Sequence, residues 1–349
     1  MWMLKYIPSL KEATSAAKIF SFVIIFFFIS FVSAATPMSD QILLDKTEAQ
    51  AARYFFEQNL SNGLVKDTIS TPYSSVAATG FGLTAYAIMA ERYSPSSEWN
   101  YTPEQLRART NKILDTLIDI QNSQIQNPSL YGTHGLFYHF INSNGQRTPN
   151  SEVSTIDSAL LLAGVITAGE YFQGEIKQKA DQIISKANWS YFLKTPSNNF
   201  PTNNGINFQF THGWKPEIGR ISQTWDRPSD ETLLISIIAL ASNPDNTDFQ
   251  KSFFSWPRVT RSYGGHSLVN SYFGSLFTYE FAHVWVDFKA IGKDKPEAIM
   301  PGVKSVDWWE NSINASKAAR QFVIDNFALY SSYGSDSWGL SAVQKPDGN

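Results

Sequence analysis

The sequence predicts an all-α protein, a toroid of helical hairpins with its loops collected on one face, and three observations carry that prediction. From Ser39 onward, apolar residues recur at helical spacing almost without relief. The stretches between the periodic segments are long and rich in Asn, Ser, Gly and Pro, notably 61–75, 123–133, 195–213 and 242–265, and such loops between packed helices usually carry function or are disordered. No Gly-rich phosphate loop, heptad run or short fixed repeat points to another architecture.

Taken in chain order, the first segment is a targeting signal. Lys5, Lys11 and Lys18 precede an apolar run over 19–32 that is too short for a comfortable membrane span, and small residues at Val32 and Ala34 suit cleavage after Ala34. Residues 1–34 are read as a secretory signal peptide, with an uncleaved anchor as the alternative. Either way the folded part, residues 35–349, is expected to be exported, to a bacterial periplasm, cell surface or medium. The first helix of that part shows the stripe Ile42, Leu43, Thr47, Ala51, Tyr54 and Phe55. A second apolar helix is expected over 81–93. Thr102-Pro103, ahead of Leu106, Ile113, Leu114 and Leu117, is an N-cap followed by proline at the first helical position. Further helices are expected over 154–172, 176–189, 232–240, 271–285 and 308–327, about eight in all. Two β-like pieces interrupt them: 136–141 with a turn at 142–145, and 206–210, which alternates apolar with polar.

Composition narrows the function. A chain of 349 residues, 43% hydrophobic and 17% charged, buries one large core or two small ones and is not disordered. A net charge of -3 offers no basic field, so nucleic acid is not an expected partner. The absence of cysteine removes disulfides, thiolate chemistry and Cys-based zinc sites. Aromatic residues make up 14% of the chain, with 10 Trp and 15 Tyr, and rings in such numbers often line sugar-binding clefts, although most Phe belong to the core.

Three clusters could carry chemistry. In the first, G-L-F-Y-H-F at 135–140, Arg147 and S-E-V-S-T-I-D at 151–157 set aromatic, basic and acidic side chains at the mouth of an apolar helix. Glu152 could act on a glycosidic bond or simply serve the amides and dipole of that helix start. Asp157 enters an apolar run, so it is expected to be half-buried and to need a partner such as Arg147 or His139. The second cluster, W-D-R-P-S-D-E at 225–231, again places acids at a helix start, near Trp214. In the third, L-F-T-Y-E-F-A-H-V-W-V-D-F at 276–288, His283 and Asp287 are four apart and are expected to share a helical face. His283 has no second His at ligand spacing, so neither a metal nor any other cofactor is expected. No Gly-x-Ser-x-Gly elbow suggests a serine nucleophile.

These motifs resemble the glucoamylase-like domain family, which includes bacterial endo-β-1,2-glucanases and a domain of cyclic β-1,2-glucan synthases. The first cluster is followed in the family's order by G-W-K-P-E-I-G at 213–219, D-E-T-L-L at 230–234, the 276–288 motif, W-E-N-S at 309–312 and W-G-L-S-A at 338–342. The resemblance implies an (α/α)6 toroid with an acidic cleft, hydrolysis or transfer of β-linked glucan, and an oligo- or polysaccharide partner. It implies Glu152 and Glu231 as the catalytic carboxylates, with Asp230 as the alternative to Glu231. Tyr138, His139, Arg147, Asp157, Trp214, Trp225, Asp230, His283, Trp285 and Asp287 would line the subsites. Two departures stand out: Arg227-Pro228-Ser229 replaces the usual Gly-Tyr and small polar residue, and the sequence stops at Asn349 where relatives continue through helices that close the toroid. An incomplete toroid is therefore expected. An exported endo-β-1,2-glucanase is the leading expectation, with a non-catalytic glycan-binding envelope protein, a transglycosylase and a polysaccharide lyase as alternatives. A membrane is expected to be involved only through an uncleaved signal segment.

Overall fold

The computed structural model describes residues 39–198, 200–271 and 275–341; the expected signal peptide lies outside them. The chain divides into two compact units, Met1–Thr47 and Glu48–Asn349. In the first, residues 40–47 are helical. Among the described residues no helix is long and apolar enough to cross a membrane.

The longer helices are α1 (Asp40–Glu57), α2 (Val76–Glu91), α3 (Pro103–Ser123), α4 (Thr155–Phe172), α5 (Glu175–Ser185), α6 (Asp230–Ser242) and α7 (Trp308–Asp325). Helices α2, α4 and α6 are apolar on every side, and α4 buries each residue from Thr155 to Val165. A helix of that kind must have protein all round it. It does: α4 packs against α2, α5 and α6. The amphipathic helices keep one face exposed. Helix α3 turns Leu106, Thr110, Ile113, Leu114 and Leu117 inward, and α5 turns Ile176, Ala180 and Ile183 inward. Helix α3 starts where the sequence says it should, with Thr102 in a reciprocal capping box with Gln105 and Pro103 at the first position.

The contact between α2 and α4 is made by glycines. A Cβ added at Gly80 would lie 2.2 Å from the Leu160 carbonyl oxygen, and one added at Gly164 would lie 2.0 Å from the Gly80 carbonyl oxygen. The two backbones therefore touch, which only residues without a side chain allow.

Short strands launch the inner helices. β1 (Ser74–Ser75) pairs with β2 (Phe140–Ile141), while β3 (Val153–Ser154), β4 (Gly213–Lys215) and β5 (Gly219–Arg220) form a small antiparallel sheet. β1 runs straight into α2 and β3 into α4, so Ser75 and Ser154 serve as N-caps, as Ser229 does for α6. A hairpin of β6 (Thr260–Tyr263) and β7 (His266–Val269) lies on α7.

Four local expectations change. The helix expected over 271–285 is replaced, among its described residues, by two 3-10 turns, Leu276–Tyr279 and Phe281–Val284. Long-range bonds shape it instead, since Leu276 N donates to Leu340 O at 2.7 Å and Ala282 N to the Asp230 carboxylate at 3.0 Å. The strand expected over 206–210 reduces to a bridge between Leu193 and Phe210, because Phe208 has a positive φ of 63° that breaks the extended run. The helix expected over 176–189 stops at Ser185, and a separate turn, Trp189–Phe192, follows. The β6–β7 hairpin falls partly inside a stretch read as loop. Gly264-Gly265, with φ of 56° and 80°, was its visible signal.

Candidate active site

The N-terminal ends of α2 and α4 and the loop leading to α6 converge on the segments 137–154 and 211–225. Val76 N donates to His139 O at 3.1 Å, and Thr155 N donates to His212 O at 3.2 Å. The Trp225 indole donates to the Thr155 hydroxyl at 2.9 Å. Helix starts carry partial positive charge, so this end of the fold favours acidic groups. Glu152, Asp157 and Glu231 are placed there.

Glu152 and His139 are brought together by backbone pairing. His139 N donates to Glu152 O at 2.8 Å, Ser154 N donates to Phe137 O at 3.1 Å, and Tyr138 bridges Val153. The His139 ring then lies between two acids, with Nδ1 at 3.2 Å from Glu152 Oε1 and Nε2 at 3.5 Å from Asp157 Oδ1. Asp157 in turn accepts from the Ser154 hydroxyl. Burial alone would push the Glu152 carboxyl up, but the hydrogen bond and charge of His139, with a contribution from Lys215, outweigh it and hold Glu152 below its ordinary value. His139 mirrors this: burial opposes its charge, but Glu152, Asp157 and Asp67 raise it overall.

Glu231 behaves in the opposite way. It sits in the first turn of α6, and burial, helped by the charge of Asp157, pushes its carboxyl up to about 7. The two acids are thus driven in opposite directions, Glu231 up and Glu152 down, the arrangement that pairs a general acid with a base or nucleophile.

Trp214, on β4, and Trp225 are half-buried beside this centre, Trp214 in register with Val153 and Trp225 against His212 with ring centroids 4.2 Å apart. Asp230, the alternative to Glu231, is buried and accepts from Ala282 N, so it holds the 3-10 turns against α6. His283 lies 3.8 Å from Asp230 and 2.8 Å from the Ser312 hydroxyl. Trp285 donates to the Thr84 hydroxyl at 2.9 Å and packs on Phe81.

Three expectations are corrected. Tyr138, expected at a subsite, is fully buried, and its hydroxyl donates to the Pro128 and Ser129 carbonyls at 3.0 Å each. The expected pairing of His283 with Asp287 gives way to the contacts above, because 3-10 turns do not bring residues four apart onto one face. Asp287 instead caps a short helical turn by accepting from Ala290 N at 3.0 Å. Arg147, expected to partner Asp157 or a sugar, reaches elsewhere: its Nε donates to Ser151 O at 2.6 Å, its Nη2 lies 3.1 Å from Glu217 Oε2, and its guanidinium covers the Tyr138 ring.

Glu217, in the turn between β4 and β5, was not singled out by the sequence although it sits within G-W-K-P-E-I-G. Its side chain is 59% exposed, so the ion pair itself is worth little, whereas Arg147 also serves a carbonyl and covers a buried ring. Arg147→Ala is expected to cost about 1–3 kcal/mol in urea denaturation, and Glu217→Ala distinctly less. Equal losses would show that the ion pair, not the Ser151 bond and the packing, dominates.

His139, Glu152 and Asp157 are also the described group that could offer a metal three ligand atoms, all within 4.8 Å of one another. The two ring nitrogens of His139, however, face different carboxylates, so the imidazole bridges the acids in place of directing one lone pair to a shared ion.

Fold and site together give a mostly helical protein in which Glu152, Asp157 and Glu231 gather at helix starts around the His139 ring. Comparison with known proteins makes this more particular. Residues 224–349 match the family described as "Putative glucoamylase". The chain is 22% identical, over 344 residues, to an exo β-1,2-glucooligosaccharide sophorohydrolase of Parabacteroides distasonis, covering 89% of this chain and 44% of that protein. It thus spans less than half the length of that relative. Among solved structures, an endo-β-1,2-glucanase from Chitinophaga pinensis, in complex with sophorotriose and glucose, superposes with a TM-score of 0.69 at 19% identity, over 89% of this chain and 73% of that one. A β-1,2-glucanase from Parabacteroides distasonis gives a TM-score of 0.69 at 20% identity, over 88% of this chain and 45% of that one. The structural likenesses establish the fold. The glucoamylase-like resemblance read from the motifs is therefore shared with a family model, a curated relative and solved structures.

Proposed function

We propose that this chain is a glycoside hydrolase acting on β-1,2-glucan, of the endo type, with Glu231 as general acid and Glu152 as base or nucleophile. The observation that carries the proposal is the opposed protonation of two acids at adjoining helix starts: Glu231 is pushed up to about 7, while His139 holds Glu152 low. Below about pH 7 Glu231 retains a proton to give to the leaving oxygen, while Glu152 is ionised to activate water or attack the anomeric carbon. The rings of Trp214 and Trp225 beside this centre suit the apolar faces of pyranose sugars. The sugar linkage is taken from what the relatives are named for.

Three parallel features support an (α/α)6 toroid: apolar inner helices, amphipathic outer helices, and inner helix starts gathered at one end. Export is part of the same proposal and rests on the basic, apolar and small-residue succession of residues 1–34.

Reducing-sugar release from linear β-1,2-glucan, with β-1,3- and β-1,4-glucans alongside, tests the function. Activity on the β-1,2 polymer is expected to be abolished by Glu152→Gln, and early products of mixed length would mark endo cleavage, whereas disaccharide alone would mark exo cleavage. Folded protein that releases no sugar from any of the three glucans would refute the proposal.

A further inference from the structure

Among the described residues His139 is the one side chain that hydrogen-bonds the Glu152 carboxylate, and everything around His139 fixes its direction. Its backbone is held at both ends, with N donating to Glu152 O at 2.8 Å and O accepting from Val76 N at 3.1 Å. Its ring stacks on Phe140, with centroids 3.8 Å apart and planes within 19°, and Phe140 is backed edge-on by Tyr73. Both ring nitrogens face carboxylates, Nδ1 toward Glu152 and Nε2 toward Asp157. Asp157 is itself anchored, since its N donates to the Ser154 hydroxyl that caps α4 and its carboxylate accepts from that same hydroxyl. A histidine that read a sugar hydroxyl would keep a nitrogen for it. Here Nδ1 hydrogen-bonds Glu152 and Nε2 faces Asp157 at 3.5 Å.

We propose that His139 is a positioning residue, an imidazole bridge that ties Glu152 to Asp157 and so to the rigid start of α4, aiming the Glu152 carboxylate at the reacting centre. This rests on the function proposed above. The charged and titratable groups facing the bridge are Glu152 and Asp157 in direct contact, Asp67 from the loop before β1, Lys215 on β4, His212 beside it and Glu231 on α6. The acids outnumber the one lysine. The imidazole is therefore the group that keeps two neighbouring carboxylates from repelling each other out of position.

Two variants separate the bridge from a sugar contact. His139→Phe keeps the stack on Phe140 and removes both nitrogens, and His139→Gln serves if the first does not fold. Loss of the bridge is expected to lower kcat by about a hundredfold, the cost of misplacing a reacting group by an ångström, with KM changed by less than about threefold. The acid limb of the kcat/KM profile is expected to move to higher pH, because burial would then be opposed only by the backbone hydrogen bond and the charge of Lys215. A raised KM with kcat unchanged, or an unmoved acid limb, would overturn the proposal. A readout independent of activity is the NMR titration of the His139 imidazole in the full chain. Its midpoint is expected to drop in both Glu152→Gln and Asp157→Asn. A midpoint unchanged in both variants would overturn the bridge even if the wild-type protein hydrolyses glucan, and a midpoint that drops would uphold the bridge geometry even if no glucan were cleaved.

Discussion

Glu231→Gln is expected to lower turnover of β-1,2-glucan by roughly 10²–10⁴-fold, the usual contribution of a positioned general acid, while leaving the fold intact. The size of the effect follows from where Glu231 sits. The motif D-E-T-L-L presents two adjacent acids at the start of α6, but Asp230 turns inward to accept from Ala282 N and is buried, with its carboxyl pushed up by that burial. Glu231 is the one whose carboxyl senses Asp157, and its value of about 7 places its proton where an acid catalyst needs it. The sign of the pH dependence is fixed by the required states. Glu231 must be protonated, so activity should fall as pH rises through about 7. Glu152 must be ionised, and because it lies below its ordinary value, activity should persist into acid below the usual carboxylate range. In Asp157→Asn the charge that helps to raise Glu231 is gone, so the alkaline limb should move to lower pH. A pH profile of reducing-sugar release between pH 3 and 9 checks all three statements, and a Glu231→Gln variant with wild-type turnover would remove this residue from the mechanism.

Gly164→Ala is expected to be a severely damaging single-methyl change in the core. Alanine normally gains about 1 kcal/mol over glycine inside a helix, so helix propensity favours the substitution. Packing opposes it. The new Cβ would meet the Gly80 carbonyl oxygen at 2.0 Å, and a backbone atom cannot swing aside as the end of a flexible side chain can. Overpacking of this kind costs typically 1–3 kcal/mol and more where the backbone must shift, so a net loss of roughly 3 kcal/mol or more is expected in urea or thermal unfolding. Gly334→Ala, where an added Cβ meets nothing within 4 Å, should change stability by less than about 0.5 kcal/mol. The damage should extend to catalysis, since α2 holds the His139 carbonyl and α4 carries Asp157. If Gly164→Ala were as harmless as Gly334→Ala, the close crossing of α2 and α4 would have to be abandoned.

The elements that were legible in the sequence are those whose causes are local. The apolar run after Ser154 predicts α4 to within a residue, Thr102-Pro103 fixes the start of α3, and the 308–327 periodicity gives α7. The acids at the starts of α4 and α6 were likewise visible, because a helix start is announced by its cap and by the charge it attracts. What sequence could not supply was the partner of each side chain. Arg147 meets Glu217 seventy positions away, Ala282 N meets Asp230 across fifty-two, and Trp285 meets Thr84 across two hundred and one. Those contacts bury Tyr138, put 3-10 turns in the described part of the helix expected over 271–285, and separate Asp230 from Glu231. By itself the sequence determined the helical class, the apolar inner helices and the two acidic helix starts, since propensity, capping and periodicity act over a few residues. Only the tertiary structure decided that His139 bridges Glu152 and Asp157 and that Glu231 lies buried enough to keep a proton, because burial and ion pairing depend on which distant segments the fold brings to one place.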